Sequence, residues 1–241
     1  MTEDETCRYD ASEKPRVVFA AACADIAAGL AVHGFRYARS GPKISRRVDG
    51  LGHEIHFESS GGNSAGAVVM LRGAAYVTDG RLKRWRGEAG VAHPDNTVAG
   101  GNLAAFGGCY QWNIACVVHR DEAIAECIEH IEREILPFFA LCGDTARLTA
   151  HLRQHDLPGR LAWVVEYLLS RGLDAEIGPL LQGWCVRHPD EAGWLAKGFE
   201  SSDYGAYQQE VRVFRRHGLE PLFRQALGGA DAGQPGDPEH T

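Results

Sequence analysis

The apolar positions of this chain repeat with two periods, and the switch between them marks its centre. Over residues 110–118, Tyr110, Trp112, Ile114, Cys116 and Val118 alternate with Gln111, Asn113, Ala115 and Val117. That period of two predicts a half-buried strand. Directly afterwards Ile124, Cys127, Ile128, Ile131, Ile135, Phe138 and Phe139 recur at steps of three and four, the spacing of a helix with an apolar stripe. Asp121 stands where an N-cap is expected, and Glu122 and Glu126 suit the positive end of the helix dipole. Pro137 falls inside the stripe and has no backbone donor, so the spacing predicts a kink or a stop near Leu136.

The same reading extends outward from this unit. Pro15 suits a first helical turn, and Val18, Ala22, Ile26 and Leu30 share one face of a helix that ends at Gly34 as a left-handed cap. Asp49-Gly50 predicts a hairpin. Leu51, His53, Ile55 and Phe57 then point one way, and Gly52, Glu54, His56 and Glu58 the other. Residues 67–77 are nearly all apolar, as in a central strand, with Gly73 marking a bulge. Residues 79–102, rich in Gly and Arg, read as a long, partly ordered loop. From Asp144 onward every apolar pattern is helical: Leu148 and Leu152; Leu161, Val164 and Leu168; Leu180, Leu181 and Trp184; Trp194, Leu195 and Phe199; Val211 and Phe214; and a last helix over 221–227.

These elements predict an α+β protein: an antiparallel four- to five-stranded sheet covered by two helices, followed by a C-terminal helical array. The divisions expected are a flexible arm over 1–14, a sheet domain over 15–143, a helical region over 144–228, with an interruption at Ser201-Ser202-Asp203, and a disordered Gly- and Pro-rich tail over 229–241. The net charge of −7 argues against general affinity for nucleic-acid phosphates. The acidic start, the lack of an apolar run of roughly 18 residues and seven scattered cysteines without a Cys-x-x-Cys pair predict a cytoplasmic protein with reduced, buried thiols.

Candidate chemistry is sparse. Arg81, Lys83, Arg84, Trp85 and Arg86 form a basic stretch with an aromatic in an acidic protein, able to grip nucleic acid, an acidic partner or a phosphate group. Glu54, His56 and Glu58 share a strand face and offer acid, base or ligand groups, although the polar outer face of any antiparallel sheet looks the same. His151 and His155, four apart on a helix, would make half a metal site, yet the Glu of a metalloprotease motif is absent. The Gly-rich stretches 61–66 and 100–102 lack the Gly-Lys-Ser/Thr ending of a phosphate loop and read as turns. Glu122, Glu126, Glu129, Glu132 and Glu134 form an acidic helix surface suited to a basic partner.

His33-Gly34-Phe35-Arg36, the strand around Ile55-His56-Phe57, Trp112 and Ile135-Leu136-Pro137-Phe138-Phe139 carry a resemblance. Over roughly residues 15–150 the chain resembles the uncharacterised bacterial domain-of-unknown-function family 4304. The resemblance implies a fold and no catalytic residues, and this chain has Ile-His-Phe-Glu where that family has an Asn-Phe-Gln-like strand. The expectation is therefore a non-catalytic bacterial protein–protein interaction protein, with a toxin-neutralising immunity protein as its concrete version. It would need no metal, catalytic residue or cofactor, would not contact a membrane, and would bind a protein partner through the basic stretch or the Glu54 face. The alternative is an enzyme or a small-molecule or metal binder of unfamiliar type.

Overall fold

The computed structural model describes residues 13–107, 111–200 and 207–231. The expected N-terminal arm through residue 12, Tyr110, the interruption at 201–203 and the tail from 232 lie outside the described residues. The chain is an α+β protein that divides into two compact units, Met1–Gly80 with Gly100–Gly143, and Arg81–Ala99 with Asp144–Thr241.

The first unit opens with α1 (Pro15–Gly29), which has Pro in its first turn and passes through a short 3-10 turn to Gly34, at φ 82°. Its length and composition, over Pro15–His33, would suffice to cross a membrane, contrary to the expectation that no stretch is long enough. Its face of Val18, Ala22, Cys23, Ile26 and Leu30 is buried. Strands β1 (Arg36–Ala38), β2 (Lys43–Val48), β3 (Leu51–Ser59) and β4 (Met70–Asp79) follow as an antiparallel meander. Asp49 and Gly50 make the two-residue β2–β3 turn with φ of 51° and 84°, the paired positive values of a type I′ hairpin. The expected bulge at Gly73 is absent, because the ladder runs unbroken through Phe57↔Gly73. A Cβ at Gly73 would come within 2.9 Å of the Leu103 side chain, so the glycine makes room for packing.

After β4 comes α2 (Gly80–Glu88), then β5 (Thr97–Asn102) and β6 (Gln111–Asn113). Residues 79–102 are thus a helix and an edge strand, not the loop expected from their Gly content. The sheet has six strands in the order β1-β2-β3-β4-β5, with β6 also on β4. Strand β6 is shorter than its alternation predicts because Asn113 ends the ladder. Its side-chain oxygen accepts from Val69 N at 3.1 Å and Ala115 N at 3.2 Å. Helix α3 (Val117–His130) starts four residues before Asp121, with Cys116 as N-cap. Arg120 ties down the entry, donating to the carbonyls of Ile114 at 2.9 Å and Ala115 at 3.3 Å. Pro137 neither stops nor breaks the rod. A π turn over Ile131–Ile135 leads directly into α4 (Leu136–Gly143), and such a widened turn accommodates a residue that cannot donate to the ladder.

Along that rod Ile124, Cys127, Ile131, Ile135 and Phe139 are buried, as the periodicity predicts. Cys23, Cys127, Cys142 and Cys185 are buried and not in disulfides, and burial pushes the Cys23 and Cys142 thiols up to about 12. Cys116 departs from the expectation of reduced thiols: it is disulfide-bonded.

The second unit contains α5 (Thr145–Leu152), α6 (Leu161–Ser170), α7 (Ile177–Arg187), α8 (Pro189–Gly198), α9 (Gln208–Arg216) and α10 (Glu220–Asp231). Asp144 caps α5 by accepting from Arg147 N at 3.1 Å. Helix α10 continues through Gly228 and Gly229 to Asp231, past the point where the tail was expected to begin. Its buried Phe223 and Ala226 hold it down.

Candidate functional site

Helix α2 decides what the basic stretch does. Leu82 and Arg86, four apart, take its buried side, while Arg81, Lys83 and Arg84 are exposed and Trp85 is half-buried. Arg86 is only 2% exposed. A buried guanidinium needs a charged partner, and α6 provides one. In the otherwise apolar run Leu161–Ser170, Glu166 is the lone acid, and it too is 2% exposed. Arg86 Nε donates to Glu166 Oε2 at 2.7 Å. Its Nη1 donates to Asp95 Oδ1 at 2.5 Å and to the Thr97 carbonyl at 3.0 Å. Its Nη2 is buried with no hydrogen-bond partner.

The other oxygen of Glu166 accepts from Arg216 Nη1 at 3.2 Å, and His217 Nε2 stands 3.5 Å from it, an ion-pair distance rather than a hydrogen bond. The His217 ring stacks on Trp85 with centroids 5.0 Å apart. Burial alone would push the Glu166 carboxyl up, but the contact with His217 and the charge of Arg86 outweigh it and hold the group below the usual carboxylate range. Glu166 is therefore an anion shared by three cationic or potentially cationic groups.

Arg86, Glu166 and Arg216 line a cavity of about 650 Å³. One wall is the segment between α2 and β5, with Val91, His93 and Asp95. The second is the entry to α6 at Arg160, and the third is the α9 face of Gln209, Arg212 and Arg216. The spacing of Arg212 and Arg216 follows from the helix, since residues four apart share a face. Arg212 has no ion-pair or hydrogen-bond partner among the described residues. His93 holds a left-handed backbone at φ 55°, a strained geometry for a non-glycine residue. Four guanidinium groups (Arg86, Arg160, Arg212, Arg216) face two carboxylates (Asp95, Glu166) in the lining, and a third, Glu210, lies 4.0 Å from Arg160, leaving an excess of one to two positive charges before His93 is counted. In a chain of net charge −7, this is a local reversal of sign. Beside it, Glu210 is buried, its Oε2 without a hydrogen bond but at ion-pair distance, 4.0 Å, from Arg160 Nη1, and burial pushes its carboxyl up.

The second expected cluster lies in the other unit and is already satisfied. Glu54 Oε2 accepts from Lys43 Nζ at 3.0 Å and contacts His56 Nε2 at 2.8 Å. The hydrogen bond from His56 is the main cause that lowers the Glu54 carboxyl to about 2. Glu58 is exposed and lies opposite Arg72 in the ladder. Of the expected site residues, the structure brings Arg86 and Trp85 into the arginine cluster and leaves Arg81, Lys83 and Arg84 outside it. The expected pair His151 and His155 is split by the end of α5 at Leu152, with ring centroids 4.8 Å apart. Among the described residues no group of three or more potential ligands gathers around a point.

Arg160, Glu166, Arg212, Arg216 and His217 escaped the reading of the sequence. Two signals pointed to them: a single acid inside an apolar helix, and an Arg pair at helical spacing. Comparison with protein-family models, curated proteins and solved structures gave no match to this chain. The functional reading therefore rests on this geometry.

Proposed function

We propose that the chain is a binding protein whose helical unit receives an anionic ligand in the arginine-lined cleft. The observation that supports this reading is Arg86: a guanidinium 2% exposed, in the cleft wall, with Nη2 unpartnered. A buried unsatisfied donor costs more than about 1–3 kcal/mol when charged, and negative charge brought into the cavity beside this guanidinium offsets part of that cost. Cavities of roughly 300–1,000 Å³ suit small ligands, and this one is within that range. A melting-temperature panel of small anions, cations and neutral sugars tests the reading. At a hundred times its dissociation constant a bound anion should raise the transition by roughly 5 °C. No rise with any anion, or an equal rise with neutral sugars, would remove it.

A second reading is a protein partner, such as a toxin neutralised by this chain. Its support is Trp194 on α8, 63% exposed with Lys197 Nζ 4.9 Å from its ring centroid, a residue type that anchors interfaces. The exposed carboxylates of Glu122, Glu126, Glu129 and Glu132 suit a basic partner as well. Affinity capture with wild-type protein and with Trp194→Ala separates this from background: a stoichiometric partner lost in the variant supports it, and recovery of none rejects it.

A further inference from the structure

We infer that the cleft takes a small organic phosphomonoester, with the phosphoryl dianion held among Arg86, Arg160, Arg212 and Arg216. This rests on the anion-binding reading and goes further by naming the chemistry. Three features carry it. First, charge. The cleft carries an excess of one to two positive charges, depending on Glu210 beside Arg160, and a phosphomonoester near neutral pH carries about −1.5 to −2. A carboxylate or a phosphodiester, at −1, matches only the lower end of that excess. Second, direction. The four guanidinium groups come from three separate segments: α2, the entry to α6, and α9. A phosphoryl group presents three oxygens tetrahedrally to donors on different sides, whereas a carboxylate presents two in one plane, which one guanidinium fork already satisfies. Third, room. At about 650 Å³ the cavity exceeds what inorganic phosphate fills, and apart from His93 the rest of its lining is apolar or amide, including Val91, Val213, Gln208 and Gln209. Amides and apolar side chains suit an uncharged, hydroxyl-bearing body, as in a sugar phosphate.

Arg86 and Glu166 form the fixed floor of this site, since both are buried and bonded to each other. Arg212, exposed and unpaired among the described residues, is the group free to close on the ligand. It is also the residue to change, because its loss breaks no contact that holds the fold.

The test is titration calorimetry on the full chain at pH 7.5 and fixed ionic strength. The probes are glucose 6-phosphate, dimethyl phosphate and acetate. Glucose 6-phosphate should bind at least tenfold more tightly than either monoanion. Arg212→Ala should lose about tenfold in that affinity, the effect of one charge-assisted hydrogen bond, with an unchanged melting temperature. Arg84→Ala, on the exposed side of α2, should bind as wild type does. Dimethyl phosphate or acetate binding as tightly as the monoester would overturn the phosphomonoester inference and leave the anion reading standing. Binding by none of the three would sink both. Tight binding that survives Arg212→Ala undiminished would overturn the placement of the phosphoryl group.

Discussion

His53 and Glu54 are neighbours on one strand with opposite surroundings, because successive side chains of β3 leave on opposite faces. His53 is 2% exposed and stacks on Phe139 with centroids 4.4 Å apart, while Nδ1 accepts from Arg46 Nε at 3.2 Å. Burial, then the charge of Arg46, pushes its pKa down to about 4. Glu54 is also lowered, for the contrary reason: His56 and Lys43 stabilise its charged form. The sign for His53 follows from linkage. In the unfolded chain the imidazole takes a proton near pH 6.5, and in the folded chain it resists protonation until about pH 4. Its contribution to stability is therefore full above pH 6.5 and drains away as pH falls towards 4, by roughly 3 kcal/mol in all. His53→Gln retains an acceptor for Arg46 and does not titrate. Urea unfolding at pH 7 and pH 4 should show wild type losing about that much relative to the variant, and a pH-independent difference would contradict the buried neutral imidazole.

At the scale of elements, most boundaries follow from local chemistry, and the exceptions have visible causes. The β2–β3 hairpin rests on two residues with positive φ, Asp49 and Gly50. Gly50→Ala would place a Cβ on a backbone at φ 84° and should cost about 1 kcal/mol or somewhat more, read as a lower denaturant midpoint with an unchanged slope. The rod of α3, the π turn and α4 was legible in its apolar stripe, and Pro137 was legible as an irregularity. A wider turn rather than a break resulted because Ile131, Ile135 and Phe139 stay buried on both sides of it, so stopping would expose them. The start of α3 was misread because Arg120, inside the first turn, holds the carbonyls that precede it. That is a contact, not a pattern.

For the whole molecule the decisive fact is that helix α2 belongs with the helices that begin sixty-odd residues later, not with the strands that precede it. The Arg86–Glu166 pair and the Trp85–His217 stack, both inside this unit, give the reason. Glu166→Ala leaves Arg86 buried beside only Asp95, and removing one partner of such a pair costs about 3–5 kcal/mol. Hydrogen exchange followed by mass spectrometry should then show the amides of α2 and α6 exchanging faster together, while those of β3 keep their wild-type protection. Equal loss of protection in β3 would mean that the two units open as one.

Sequence alone determined the class of fold and most of the elements, α2 and β5 excepted. Periods of two and three-to-four are written in Leu51–Ser59 and along α3, and burying such faces admits few architectures. Tertiary structure alone decided the site. Arg86 reads on the page as one more cation in a basic run, and Glu166 as one stray acid in an apolar helix. Their meaning arises only when eighty residues of intervening chain place Nε 2.7 Å from the carboxylate and leave the next guanidinium nitrogen unfilled. Hydrophobic patterning is a local property that repeats along a chain. The pairing of buried charges depends on which distant segments meet, and no local pattern encodes that.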